Sequence, residues 1–174
     1  MVIGGDLCYK VSRKWMPGAK ASLKYILRTV VTALFRGESE HSLDEKNRLI
    51  IPQRLRGELG EVFYVTRGLD SCLFLFPAAE WEAFEEKLCS LPMSTGRASM
   101  RFFFSGTMEC SCDKQGRILL SQALRDYAGI SKDVVIVGVS KRVEIWSKEK
   151  WAAYNESIAA DPDEIASQLE LLNM

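Results

Sequence analysis

Hydrophobic and polar positions along the chain follow two periods, and the same succession of periods occurs twice. Glu38–Leu43 alternates as a strand, Asp44-Glu45-Lys46-Asn47 is a tight polar turn, and Arg48–Ile51 is a short apolar strand. Pro52–Leu59 reads as a helical turn, with proline at an early helical position and Gly60 just past its end. Two β-rich runs come next, Val62–Thr66 and Cys72–Phe76, joined by Arg67-Gly68-Leu69-Asp70-Ser71. Further along, Cys110–Asp113, Lys114-Gln115-Gly116, Arg117–Leu120, Gln122–Ala128, Val134–Gly138 and Val143–Trp146 run through the same order. Helices fill the rest: Ala78–Leu91, with Trp81, Phe84 and Leu88 at helical spacing, and Lys148–Ala159, with Trp151 and Tyr154. Residues 97–104 form an apolar link into the second half, and Asp161-Pro162-Asp163-Glu164 is a capping sequence that opens a last short helix through Leu172. The pattern is that of a mixed α/β chain of the α+β kind.

The repetition is visible residue by residue. A shift of 69 lays residues 34–60 over 103–129, and from Phe35 onward ten of 26 positions are identical, among them Asp44/Asp113, Arg48/Arg117, Arg56/Arg125 and Gly60/Gly129. Ordinary composition gives roughly one or two such matches by chance. The apolar triplets Leu49-Ile50-Ile51 and Ile118-Leu119-Leu120 match in kind, and Trp81 falls over Trp151 once the shift becomes 70, a slip that one small loop difference explains. Each module has about 45 residues, too few for a large core of its own, so the two are expected to pack as a pseudo-twofold pair. Asn47 and Gly116 share one turn position. Glycine adopts positive φ freely and asparagine tolerates it next best, so the repeat preserves a backbone shape.

The turns also carry the candidate chemistry. Asp44 and Asp113, at the turn starts, can accept hydrogen bonds from turn amides and orient Arg48 and Arg117 across the bend. A guanidinium held that way is preorganised for bidentate contact with guanine or with a phosphate, and lysine would be a poorer substitute. Spacing alone also fits, and somewhat favours, an internal ion pair that only stabilises the turn. Lys46 and Lys114 are expected on phosphates, whereas Arg54 and Arg56 read either as DNA contacts or as solvated helix charges.

These strings (LFRGESEHSLDEKNRLIIP, RGLDSCLFLFPAAEW, RFFFSGTMECSCDKQGRILL and DVVIVGVSKRVEIWSKEKW) resemble the MraZ family over about residues 34–152, with both copies of its DxxxR signature. The resemblance implies two tandem AbrB-like swapped-hairpin modules forming a pseudo-twofold β-barrel core, ring-shaped homo-oligomers, and transcriptional regulation. The implied target is double-stranded DNA, at direct repeats in the promoter of the family's own division and cell-wall gene cluster. Asn47 stands where the family has glycine and Ser121 where proline is common. On this reading the chain divides into a first module at 34–81, a helical linker at 82–106, a second module at 107–151 and an acidic tail at 152–174. Residues 1–33 fall outside the family pattern. They read either as a flexible basic arm that adds non-specific affinity or as residues upstream of the true start, with Leu34 in the start position.

Charge sharpens the picture only when it is localised. Among 174 residues, 23 basic groups balance 23 acidic ones, which on its face speaks against nucleic acid. Residues 1–33 carry +5, 34–150 carry zero and 151–174 carry −5, but the segments 44–56 and 113–125 each come to +2. An oligomer that presents this motif many times gains through effective concentration.

Other chemistries are disfavoured. Five cysteines at 8, 72, 89, 110 and 112 match no zinc spacing and read as buried thiols of a reducing cytoplasm, and a single histidine, His41, excludes a multi-histidine metal site. No nucleotide-binding glycine loop occurs, so neither a cofactor nor a small-molecule ligand is expected. The aromatic stripe (Phe63, Phe74, Phe76, Phe102–Phe104 and Trp146) reads as core or subunit contact. His41 and Cys110 share a repeat position and read as packing residues, not as a nucleophile pair; no enzyme activity is expected. No apolar run is long enough to span a bilayer, and the expected location is the cytoplasm, on the nucleoid. Two rivals to a DNA-binding regulator are an AbrB-like antitoxin and a ring-forming structural protein without a DNA role.

Overall fold

A computed structural model describes residues 34–160 and, beyond them, positions 162, 166, 167 and 170. The expected readings of residues 1–33 and of the cap at Asp161 lie outside the described residues. The elements are β1 (Glu38–Ser42), β2 (Arg48–Ile50), α1 (Gln53–Leu59), β3 (Phe63–Arg67), β4 (Leu73–Pro77), α2 (Ala78–Cys89) and α3 (Met93–Phe104). They continue with β5 (Met108–Cys110), β6 (Arg117–Leu119), α4 (Gln122–Ala128), β7 (Asp133–Val139), β8 (Arg142–Ser147) and α5 (Lys148–Ala160).

The two modules exchange strands. The main sheet runs β1-β7-β8-β4-β3-β5, and β2 and β6 form a separate antiparallel ribbon. Each module therefore gives its first strand to the other's hairpin: β1 pairs with β7, and β5 pairs with β3. Both local twofold points can be read from the register. Leu49 faces Ile118 in the ribbon, and Phe74 faces Glu144 at the middle of the sheet, so in each case a residue meets its own repeat equivalent. The pseudo-twofold expectation is met in this form, but the expected barrel does not close. Among the described residues β1 and β5 end the sheet at opposite edges and do not pair with each other. The 69-to-70 slip comes from two loop differences, not one. Counted between equivalent ladder positions, the connection from α4 to β7 is two residues longer than that from α1 to β3, and the β7–β8 turn is one residue shorter than the β3–β4 turn.

Two cores flank the sheet. On one face Phe63, Val65, Leu73, Leu75, Ile136 and Ile145 pack beneath the ribbon's Leu49 and Ile118 and beneath Leu55 and Leu124 of the short helices. On the other face Phe74, Phe76, Val135 and Trp146 pack under α2, α3 and α5. Here Tyr64 stacks on Trp81 at 5.5 Å, Phe84 meets Phe103 edge-on at 4.9 Å, and Trp146 lies 5.4 Å from Trp151. Covered on both sides, β4 is buried along its whole length, which is why its sequence LFLF does not alternate. The stripe expected as core thus splits between two cores by strand period. The apolar link at 97–104 is the second half of a helix that starts at Met93, after Pro92. Among the described residues no helix is long and apolar enough to cross a membrane.

Candidate nucleic-acid interface

The repeated turns fold alike, atom for atom. Asp44 Oδ1 accepts the backbone N–H groups of Lys46 and Arg48, each at 2.9 Å. Its Oδ2 accepts Arg48 Nε at 2.7 Å and pairs with Nη2 at 2.6 Å. In the second module Asp113 Oδ1 accepts from Gln115 and Arg117 N–H at 2.9 Å, and Oδ2 holds Arg117 Nε at 2.9 Å and Nη2 at 2.8 Å. Asn47 at φ 59° and Gly116 at φ 78° make the left-handed step that lets the chain turn so tightly. The guanidinium of Arg48 and the turn amides hold the Asp44 carboxyl down at about 2, and the Arg117 backbone and side chain do the same for Asp113. The internal ion pair therefore exists in both turns. It engages only the Nε–Nη2 edge of each guanidinium, and the Nη1 side is not part of that grip.

The antiparallel pairing of β2 with β6 then joins the two turns in one ribbon, one at each end. The ribbon ladder continues into them, with Ile51 N–H donating to Gly116 O at 2.9 Å and Leu120 N–H to Asn47 O at 3.3 Å. Arg117 Nη1 lies 3.8 Å from Asp44 Oδ2, so the second arginine reaches toward the first module's carboxylate. Four of the sequence candidates, Asp44, Arg48, Asp113 and Arg117, thus come together with Asn47 and Gly116 in one surface. Lys46 and Lys114 sit exposed at its two outer ends.

The other two candidates make contacts within the protein. Arg54 Nη1 donates to the Arg36 carbonyl at 2.6 Å, tying α1 to the chain entering β1. Arg56 is half-buried against the other module's turn, so near Gly116 that a Cβ there would lie 2.3 Å from its Nη1. Its Nε and that of its equivalent, Arg125, are buried without a hydrogen-bond partner. Arg56 is therefore not a solvated helix charge: the exchange of modules packs it under the turn. Ser121, where the family often has proline, caps α4 by accepting Leu124 N–H at 3.4 Å. His41 and Cys110 lie on the opposite edge strands, with the Cys110 thiol pushed up to about 11 by burial. Burial and then the Arg54 charge lower His41.

One feature of the surface escaped the sequence reading. Ile50 and Leu119, the middle members of the two apolar triplets, are 50% and 59% exposed on the outside of the ribbon. Strict alternation along Arg48–Ile51 was the available signal, since it puts Ile50 on the face of Arg48 and opposite to Leu49.

The comparisons with known proteins agree with this architecture. The family described as "MraZ protein, putative antitoxin-like" matches residues 34–101 and again 103–172. The chain is 53% identical over 143 residues to a protein of Pelotomaculum thermopropionicum named transcriptional regulator MraZ, covering 81% of this chain and 99% of that one. A protein of the same name from Heliobacterium modesticaldum is 53% identical over 138 residues (78% and 96% of the two chains), and one from Clostridium acetobutylicum 52% identical over 143 (81% and 100%). With two consecutive matches, each spanning one of the exchanged modules, the chain belongs to the MraZ family.

Proposed function

We propose that this protein is a sequence-specific DNA-binding transcriptional regulator whose contact surface is the pair of DxxxR turns on the β2–β6 ribbon. The observation that carries this reading is the paired grip: two guanidiniums on one ribbon, each fixed by its own aspartate along one edge. A two-stranded ribbon is narrow enough to enter the major groove, and a guanidinium edge matches guanine O6 and N7. Arg48 and Arg117 are the base readers in this account. Lys46 and Lys114 contact phosphates, and Asp44, Asp113, Asn47 and Gly116 position the arginines. Arg56 supports the second module's turn, and Arg54 holds the chain entering β1.

One such surface makes few contacts. The protein binds as a ring-shaped homo-oligomer that presents the ribbon repeatedly to direct repeats, and avidity supplies the affinity that a neutral chain lacks. The repeats lie upstream of its own division and cell-wall gene cluster, which places the protein in the cytoplasm on the nucleoid. No enzyme activity belongs to this account. A direct test is fluorescence anisotropy of the full chain with the duplex immediately upstream of its own reading frame, at several salt concentrations. The expected result is specific binding whose logarithmic affinity falls linearly with the logarithm of salt. Absence of binding would reject the reading, and co-purification of a small toxin in its place would favour an antitoxin.

A further inference from the structure

We infer that Ile50 and Leu119 are sequence-reading residues, exposed aliphatic side chains that take the C5 methyl groups of thymines in the major groove. The inference rests on the DNA-binding reading above and deepens it. Along the ribbon the inward positions are sealed, Leu49 at 0% and Ile118 at 2% exposure, so the exposure of the intervening residues is not a general looseness of these strands. The register fixes the outer face. Arg48 stands opposite Leu119, and Ile50 stands opposite Arg117. The result is a two-by-two patch with guanidiniums on one diagonal and aliphatic side chains on the other, related by the local twofold at Leu49–Ile118. Opposite side chains lie about 5 Å apart, and alternate residues along a strand about 7 Å apart.

A single exposed aliphatic residue needs no explanation. Two at equivalent positions, each between an arginine on its own strand and another across the ribbon, form a mixed surface. Its chemistry matches the floor of the major groove, where guanine offers acceptors to arginine and thymine offers a methyl group. The occupant is a duplex, not a second copy of this ribbon. Another copy would bring Arg48, Arg117, Lys46 and Lys114 against their own counterparts, whereas phosphates flank the methyl groups of DNA with the complementary charge.

The test begins with duplexes selected by the wild-type protein from a randomised library. Thymines in the selected sequence are then replaced one at a time by uracil, which removes only the C5 methyl. Wild-type protein is expected to lose about fourfold in affinity at one or two positions per repeat, the worth of one buried methyl group. Ile50→Ala or Leu119→Ala is expected to bind the thymine and uracil probes equally at those positions. The inference is overturned if no replacement matters to wild type, or if both alanine variants still discriminate thymine from uracil. A change in oligomeric mass by light scattering with discrimination intact would likewise overturn it, and would make the pair a subunit contact. If wild type selects no sequence at all, the DNA-binding reading itself has failed; selection of a sequence without any uracil effect overturns this inference alone.

Discussion

Gly138→Ala is expected to unfasten the two modules. Gly138, on β7 of the second module, lies so close under the first module that a Cβ would sit 2.3 Å from the Arg36 amide nitrogen and 2.6 Å from the Phe35 carbonyl carbon. These are backbone atoms, so no rotamer change relieves the overlap. The segment leading into β1 has to move, and three ladder bonds hold it: Phe35 N–H to Ser140 O at 2.7 Å, Ser140 N–H to Phe35 O at 3.0 Å, and Gly138 N–H to Gly37 O at 2.8 Å. Phe35 is itself 1% exposed in the main core. Exposing it forfeits about 1.5–3 kcal/mol, and each lost backbone bond about 0.5–1.5 kcal/mol. A cost of about 3–7.5 kcal/mol follows, a large share of the roughly 5–15 kcal/mol available to a domain. Gly57 is the control, because it lies inside α1 with no atom within 4 Å of an added Cβ. Gly57→Ala is expected to stabilise by about 0.5–1 kcal/mol. Urea unfolding followed by far-ultraviolet circular dichroism measures both. Gly138→Ala within about 1 kcal/mol of wild type would refute the interlocking of the modules described here.

Three further outcomes follow from the site. Arg48→Lys keeps the charge but cannot grip Asp44 Oδ2 with two nitrogens; by anisotropy it is expected to lose about 1–3 kcal/mol on the specific duplex and almost nothing on a scrambled one. Asp44 is held at about 2 against an ordinary 3.8, chiefly by the Arg48 side chain, so its stabilising contribution is complete above the higher value and fades as pH falls toward the lower. The difference in melting temperature between wild type and Asp44→Asn is therefore expected to shrink over that interval in a pH series, and a widening gap would contradict the assignment. Burial pushes Cys72 up to about 12 and Cys110 to about 11, so iodoacetamide at neutral pH is expected to leave both intact in the folded protein. Peptide mass mapping before and after unfolding checks this.

Periodicity locates the elements well where one face is buried, and the repeat shows the pseudo-twofold in the sequence alone. The partners of the strands were not legible. Nothing in ESEHS says that it pairs with β7 of the other module instead of its own hairpin, because strand period specifies a face and not a neighbour. The same limit explains Arg56, which reads as a surface helix charge until the exchange sets it against Gly116. The turn itself was legible, since the Asp–Arg spacing and the shared positive-φ position are local properties. The ion pair is present in both turns; at Arg48 the carboxylate takes the Nε–Nη2 edge, whereas Arg117 Nη1 also lies 3.8 Å from Asp44, and the DNA contact is the reading proposed above. Ile50 and Leu119 do not stand out in the sequence because each sits inside a continuous apolar triplet, where composition marks a strand but no face.

The account rests on two arginines presented together on one ribbon. The most direct measurement is the affinity of an Arg48→Ala, Arg117→Ala double variant for the upstream duplex, read beside its oligomeric mass and melting temperature. The account predicts unchanged assembly and folding with specific binding reduced at least about thirtyfold, two bidentate contacts at about 1–3 kcal/mol each. A double variant that assembles, folds and binds the duplex as wild type does would contradict it.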